Sequence, residues 1–513
     1  MSIETELKLS FSANQLPILL EHALISGPCK RHKLFNVYYD TPELSLMKSG
    51  AAVRERKILR KTLLTVKLAS PSLGGLHRRL EWEAPTLPGQ FDFQTLIDDP
   101  VIAEKMTMLA PQLIPIFTTD FVRRTWQVEF RGSKIEVAID QGKTITKRPD
   151  GLLYEAEICE VELELLEGNP VNLFGLARVL SRRVRLHPSS RSKAEIGYRL
   201  YQNVVISPVK PALVEINPEA DPIDTFQHIC FECLYHLQLN DGGILLDNDD
   251  EYIHQARVAM RRIRSAIKLF APVLPMTFVG HWNNIWRDLA NALGDARNWD
   301  VFSDELLPLL KQTFGNHPDI VELEKFAIAE RALGHQSAVA TFGHRNYSVK
   351  VISFAEAVMN LKNHPEIKNR QKMILESQST AEPIVPENTE EFASRLLKRR
   401  HRRFQRELSV PSRSLEESHQ LRLYLKKLRY SFEFFVQLFP KNKMTRYTKT
   451  LSRAQELLGQ MNDLATAEIL LSKRNLAQLD VASAWIIGRQ SGYLSMMPKV
   501  IAGLNDLKAP WLK

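Results

Sequence analysis

Seven segments among the first 200 residues place charged or hydroxyl side chains on one set of alternate positions and apolar side chains on the other. Glu4, Glu6 and Lys8 oppose Ile3, Leu7 and Leu9, and Arg54 and Arg56 project together. Thr65 and Lys67 oppose Leu64, Val66 and Leu68, while Arg79, Glu81 and Glu83 oppose Leu80, Trp82 and Ala84. Arg123, Thr125, Gln127 and Glu129 oppose Trp126, Val128 and Phe130; Glu136 and Asp140 oppose Ile135, Val137 and Ile139; Glu160, Glu162 and Glu164 oppose Val161, Leu163 and Leu165. A period of two marks strands with two unlike faces. A solvated sheet face accounts for any one of them, but three in-phase glutamates repel one another unless cations face them. A closed barrel with an ionic lumen and an apolar outer wall meets that condition. Its carboxylates then call for a divalent cation, and oxygen-only donors favour Mg2+ or Mn2+ over zinc. Its arginines and lysines call for an anion, and guanidinium forks fit phosphate oxygens. Acids, metal and bases in one lumen suit phosphoryl transfer, where charge on both sides of a phosphorus must be neutralised.

From about residue 220 the apolar period lengthens to that of helices. Between the two regimes, SPVKPALVEINPEADPI carries Pro208, Pro211, Pro218 and Pro222, which forbid either element from running through. The expected organisation is α+β: an eight-stranded antiparallel β-barrel with flanking helices over 1–203, a linker over 204–222, and an all-α domain over 223–513. A polar segment at 377–392 divides the helical part into halves at about 223–376 and 393–513. With 44% hydrophobic and 25% charged residues the chain is globular in composition. The charged start MSIETELKLS argues against a cleavable signal segment, and no apolar run reaches the length of a membrane span, so the chain reads as cytoplasmic and without a membrane partner. Cys230 and Cys233 have no second pair or nearby His cluster to complete a zinc site and read as buried thiols. Residues 392–450 hold 16 basic against 4 acidic residues, which points to an anionic partner there.

The helical part repeats. HQARVAMRRIRSAIKLF from His254 recurs as HQLRLYLKKLRYSFEFF from His419, and Leu293-Gly294 recurs at the same offset as Leu458-Gly459. His254, Arg257, Arg261, Arg264 and Lys268 share an arc of about 80° on a helix, and His419, Arg422, Lys426 and Arg429 take the same angles. Ile263, Ile267, Phe270, Leu428 and Phe435 fall on apolar faces. Solvent exposure explains one basic stripe; two copies can face each other across a pseudo-two-fold axis with a long anion between them. The two histidines would add pH-dependent charge near 6.5. Apart from Tyr424 and Tyr430 few aromatics interleave with the stripes, which argues against nucleic acid as the anion.

Glu4-x-Glu6-x-Lys8, YYDT at 38–41, RERK at 54–57, TVK at 65–67, RRLEWE at 78–83, FVRRTW, EVAID at 136–140, CEVELELLEG at 159–168 and SRSKAEIGYRL together resemble the CYTH superfamily of triphosphate tunnel metalloenzymes. The resemblance implies an eight-stranded tunnel acting on triphosphates with Mg2+ or Mn2+. By matched motif, Glu4, Glu6, Asp140, Glu162 and Glu164 would hold metal, and Lys8, Arg54, Arg56, Lys67, Arg79, Arg123 and Lys193 would grip phosphate. HQARVAMRRIR, LANALGDARNWDVF, HQLRLYLKKLR and AQELLGQMNDLATA resemble the CHAD domain, which implies binding of inorganic polyphosphate by His254, Arg257, Arg261, Arg264, His419, Arg422, Lys426 and Arg429. The second repeat departs from the first where Arg297 and Asp300 become Asn462 and Ala465. The function expected is that of a metal-dependent inorganic triphosphatase, splitting tripolyphosphate into diphosphate and phosphate. A thiamine triphosphatase, a class IV adenylate cyclase, or a non-enzymatic polyphosphate binder are the alternatives.

Overall fold

The computed structural model describes residues 2–68, 74–148, 150–246, 249–377, 387–409, 415–472, 480–505, 507 and 509–511. Most of the polar segment, 378–386, lies outside the described residues. The chain forms two compact units, the first made of Met1–Pro208 with Phe342–Asn360 and the second of Val209–Thr341 with Leu361–Lys513. Residues 204–217 carry neither helix nor strand.

In the first unit β1 (Ser2–Ser10), β2 (Lys30–Asp40), β3 (Ala51–Ile58), β4 (Lys61–Leu68), β5 (Leu76–Thr86), β6 (Ile114–Phe130), β7 (Ser133–Lys147) and β8 (Leu153–Glu167) form one antiparallel sheet. Its order is β5-β4-β3-β2-β6-β7-β8-β1, and pairing of β1 with β5 closes the barrel. The two-residue β9 (His187–Pro188) adds beside β1. Seven strands are those of the alternating segments. The eighth, β2, lacks their charge pattern because its lumen-facing positions carry Leu34, Asn36 and Tyr38, in register with Arg54 and Arg56 of β3. The outward residues Leu7, Leu9, Val53, Val66, Val137, Val161 and Leu163 are fully buried. Short helices α1 (Leu16–Leu20), α2 (Ser45–Lys48), α3 (Phe93–Leu96) and α4 (Pro100–Leu109) follow, and Leu46, Phe93, Ala103 and Met106 pack on Val53, Val66 and Trp82 of the wall.

Two further helices matter for the site. In α6 (Lys193–Gln202), a Cβ at Gly197 would lie 2.2 Å from the Phe117 ring, so glycine there lets the helix lie directly on β6. That approach carries Lys193, the first residue of α6, to the acids of β7 and β8. α5 (Val171–Leu180) packs against α13 (Arg345–Met359), although α13 lies far along the chain in the helical part of the sequence. Glu356 of α13 ties the pair, 2.7 Å from Arg178 Nε and 3.1 Å from Arg131 Nη1.

The second unit is helical: α7 (Pro222–Leu246), α8 (Asp250–Phe270), α9 (Met276–Ala292), α10 (Gly294–Val301), α11 (Leu307–Phe314), α12 (Pro318–Gly343), α14 (Pro365–Ser377), α15 (Thr389–Leu408), α16 (Leu415–Phe435), α17 (Lys441–Ser472) and α18 (Asp480–Asn505). The repeated segments are α8 and α16. Ile263, Ile267, Phe270, Leu428 and Phe435 are all fully buried, as their apolar faces require. The two repeats share core rather than forming self-contained bundles. Trp299, Phe302, Leu310 and Leu323 of the first pack with Leu464, Leu471 and Ile486 of the second, and Phe270 stacks on Phe392 at 5.0 Å. Cys230 and Cys233 are buried free thiols. Among the described residues no helix is long and apolar enough to cross a membrane.

Candidate functional site

The barrel lumen holds the charged faces, and both signs meet there. Arg54 and Arg56 project from β3 and Arg123 from β6, while β7, β8 and β1 on the other side carry Asp140 with Glu136, Glu160 with Glu162 and Glu164, and Glu4 with Glu6. Arg123 forks onto Asp140 (2.8 and 2.6 Å) and also bonds Glu162, so Arg123 and not Arg124 is the partner of the β7 and β8 acids. Lys193 Nζ lies 2.6 Å from Asp140 and 3.1 Å from Glu162 and also bonds Glu160. Lys8 donates to Glu6 at 3.1 Å and to Glu162. Lys67 bridges Glu4 (2.6 Å) and Glu81 (2.9 Å). Arg56 Nε donates to Asn36 at 3.0 Å, and Arg54 donates to the Tyr38 hydroxyl at 3.4 Å. Arg79 Nη2 donates to His77 Nδ1 at 2.7 Å, and Arg79 Nη1 sits 3.8 Å from Glu6. Arg54 Nε and Arg79 Nε are buried without a hydrogen-bond partner, donors held ready for an acceptor.

Three carboxylates, Asp140, Glu160 and Glu162, each offer an oxygen within 4.8 Å of the others, close enough to share a cation. Lys8, Arg123 and Lys193 already balance them. Burial alone would raise Glu162, but Lys193, Lys8 and Arg123 hold it well below the usual carboxylate range. Burial would likewise lower Lys8, and Glu162, Glu6 and Glu160 more than reverse it. Two residues further along β8 the balance is lost. Glu164 makes no ion pair among the described residues, and burial together with Glu4, Glu136 and Glu6 pushes it up to about 7. Across the lumen the opposite crowding occurs: burial, Arg54 and Arg123 push Arg56 down to about 10. Arg56 and Glu164 are thus the two lumen groups whose burial and like-charged neighbours outweigh the opposite charges beside them, although Glu83 lies 3.8 Å from Arg56 and Glu81 3.7 Å from Arg54. The donors around Glu164 are oxygen only, which fits a hard divalent ion.

In the helical unit the α8 and α16 stripes do face each other. A cavity of about 290 Å³ is lined by His254, Arg257 and Arg261 of α8, Arg297 of α10, Arg422 of α16 and Asp463 of α17. Arg257 Nη1 is fixed by Ala290 O at 2.6 Å, while Arg261, Arg264 and Arg422 each bury an Nε with no hydrogen-bond partner. Arg261 and Arg429 both lie over the Tyr430 ring, at 4.9 and 5.4 Å from its centre, so one ring joins the two stripes. Burial, Arg422 and Arg261 push Lys426 down to about 7. The histidines break the symmetry. His254 lines the cavity, where burial and Arg297 hold it below its ordinary value, whereas His419 is exposed. Lys426 is thus a stripe residue drawn down to the neutral range.

A family model described as the CYTH domain matches residues 2–198, and one described as the CHAD domain matches residues 228–472. The chain is a CYTH domain joined to a CHAD domain. Within it, 200 residues are 37% identical to a protein named inorganic triphosphatase from Haemophilus influenzae, over 38% of this chain. The chain spans about half of that relative's length, 54%. The crystal structure of the CHAD domain from the plant Ricinus communis aligns with a TM-score of 0.50 and 23% identity over 60% of this chain and 99% of that one, which shows the helical fold.

All twelve charged residues singled out for the CYTH domain reach the lumen network. Sequence reasoning missed Asn36, Tyr38, His77 and Glu136 as members of it. Glu136 was in phase with Asp140, and Tyr38 lay in the YYDT motif; Asn36 and His77 are neutral and gave no charge signal. In the CHAD domain the reasoning also missed Arg297, which points into the same cavity as Arg257. It missed as well the gathering of Asp250, Asp300 and His335 within 4.8 Å. Arg331 already occupies that gathering, its Nε 3.0 Å from Asp300, so it ties α8, α10 and α12 together.

Proposed function

We propose that the CYTH domain hydrolyses inorganic tripolyphosphate to diphosphate and phosphate with Mg2+ or Mn2+ as cofactor, and that the CHAD domain binds inorganic polyphosphate. The single observation that carries the first reading is the pair of like-charged spots in one lumen, Arg56 beside Arg54 and Arg123, and Glu164 beside Glu4, Glu136 and Glu6, each relieved by one half of a metal–phosphate pair. Glu4, Glu6, Glu136 and Glu164 would hold the ion. Asp140 and Glu162 join them only if Lys8, Arg123 and Lys193 turn from those acids to phosphate. Bound there, the divalent ion supplies Lewis-acid polarisation of phosphoryl oxygens.

The chain's own residues account for the rest. Arg54 and Arg79 offer their Nε–H groups, unpartnered among the described residues, to substrate oxygens, and Arg56, crowded by Arg54 and Arg123, gains a further counter-charge. Water attacks a terminal phosphorus, the bridging P–O bond breaks, and its electron pair stays on the leaving diphosphate. Lys8, Arg123 and Lys193, once turned from Glu160, Glu162 and Asp140, would neutralise the charge that gathers there. Asn36 and Tyr38 hold Arg56 and Arg54 in orientation, so the lumen pays little reorganisation when substrate arrives.

The test is phosphate release by the purified chain from tripolyphosphate, ATP and thiamine triphosphate, with and without Mg2+. Tripolyphosphate should be the best substrate, with no release when metal is withheld. Faster release from ATP or thiamine triphosphate moves the assignment to a nucleotide or thiamine enzyme, and no release from any of them overturns it. For the CHAD domain the supporting observation is the set of buried, unpaired arginine Nε groups on two facing stripes. Calorimetric titration with polyphosphate in EDTA tests it, and absence of binding at low salt refutes it.

A further inference from the structure

The charge excess of residues 392–450 is only partly absorbed by the α16 stripe. Much of it lies on α15, where Arg395, Lys398, Arg399, Arg402, Arg403 and Arg406 fall within about 140° of one another and are all exposed. The opposite face buries Leu396, Leu397, His401, Phe404 and Leu408, which fixes the rotation of the helix. An ordinary solvated face mixes signs. Here, among the described residues, Arg395 pairs with Glu387 at 2.6 Å, and no acid interrupts residues 392–406. Arg395 with Arg399, Lys398 with Arg402, Arg399 with Arg403, and Arg402 with Arg406 are like-charged pairs four residues apart, each a repulsion that the helix carries by itself.

This ridge is continuous with the lane between the stripes. Arg400, on the flank of the ridge, donates through Nη1 to Lys427 O at 2.8 Å and so is fixed to α16. Lys268, the last cation of the α8 stripe, lies in the field of Lys427 and Arg400, and Arg400 in that of Arg403. A path of cations therefore leads from Lys268 past Arg400 to Arg403 and on to Arg406. The lane itself is short, since the α8 stripe from His254 to Lys268 rises about 21 Å.

We infer that α15 is an outer binding ridge for the part of a long inorganic polyphosphate chain that overruns the lane, so that the CHAD domain favours long chains over short ones. This rests on the polyphosphate reading above and adds to it a preference for chain length. The ridge suits an overhanging, flexible polyanion: its cations are exposed and closely spaced, they outnumber the acid beside them, and they begin where the buried lane ends. A stiff duplex would have to leave the lane to use it.

The experiment compares the full chain with its R399Q/R402Q/R406Q variant, in EDTA so that chains stay intact. Two probes are titrated at several salt concentrations: polyphosphate of about six phosphates, short enough to lie within the ~21 Å stripe, and polyphosphate of about one hundred. All three positions are exposed, so the variant should fold, and its circular dichroism melt should match the parent. The inference expects roughly tenfold weaker binding of the long chain, a shallower salt dependence, and short-chain affinity within twofold of the parent. Unchanged long-chain affinity, or equal losses for both lengths, overturns the ridge while leaving the lane intact. If neither probe binds the parent chain, the lane reading falls instead. A loss of duplex DNA binding as large as the loss of long polyphosphate would show a general polyanion surface and overturn the assignment to polyphosphate.

Discussion

The barrel and the helical lane are both lined with arginine and lysine, yet they handle those charges in opposite ways. In the lumen Lys8, Lys67, Arg123 and Lys193 each lean on one or more carboxylates, while like charges crowd Arg56, which has Glu83 at 3.8 Å, and Glu164, which makes no ion pair among the described residues. In the lane Arg261, Arg264 and Arg422 are half-buried, each with an Nε unmatched among the described residues, and two acids, Glu305 and Asp463, line the cavity with its four arginines. A balanced network can rearrange, which suits a site that must take up a metal and an anion and then release products. A surplus of fixed positive charge cannot rearrange; it can only hold. Under the proposed function the same residue types would give turnover in one place and retention in the other.

Metal removal should separate the two most sharply. With EDTA, hydrolysis of tripolyphosphate should stop while calorimetric binding of long polyphosphate persists; loss of both would erase the distinction. Next in size is Glu6→Gln, which removes a ligand charge but keeps the shape of the side chain. Phosphate release should fall by about a hundredfold or more, with the thermal melt nearly unchanged. A fully active variant would remove β1 from the metal site. Neutralising one arginine on each stripe, with R261Q/R422Q, should weaken polyphosphate binding by about tenfold at low salt and flatten its salt dependence. If affinity survives, the two stripes do not form one site.

The smallest effects are in pH, and their signs differ. Glu164, pushed up to about 7, is protonated below that pH and cannot then ligate a cation. Hydrolysis at limiting metal should therefore climb several-fold as pH rises through about 7, and Glu164→Gln should flatten the profile. Lys426, drawn down to about 7, is neutral above that pH in the free chain, and a bound polyanion favours its charged form. Polyphosphate affinity should decline as pH rises above 7, with uptake of a proton on binding that Lys426→Met abolishes. Proton release in place of uptake would exclude Lys426 from the lane.

How much of this was legible in the sequence depended on whether a side chain announced itself by charge. Alternation gave seven strands and their inward faces, because a charge in the wall would have to be buried among Val53, Val66 and Leu163. It was blind to β2, whose inward residues Asn36 and Tyr38 are neutral. Phase also decided correctly between Arg123 and Arg124, since only one face of β6 meets Asp140. In the helical part, angular position brought the stripes together but treated His254 and His419 as equivalent; which of two repeated positions is covered depends on neighbours such as Arg297, which has no counterpart in the second repeat. Nor could any local pattern reveal that α13 belongs with the barrel. Its partners Arg131 and Arg178 stand 225 and 178 residues before Glu356, and contacts at such distances leave no periodic trace.

That last arrangement has a consequence for how the protein comes into being. A ribosome releases the barrel strands first, but the piece that completes their unit, Phe342–Asn360, is made only after the whole of Val209–Thr341. At about 5–20 residues per second the wait is on the order of ten to thirty seconds. For that interval the face of α5 that α13 will cover stands open, and the intervening helices must emerge while the first unit is still unfinished. The order of synthesis and the order of folding are thus interleaved, and severing the chain at the proline-rich segment would yield a barrel that had never received its last helix.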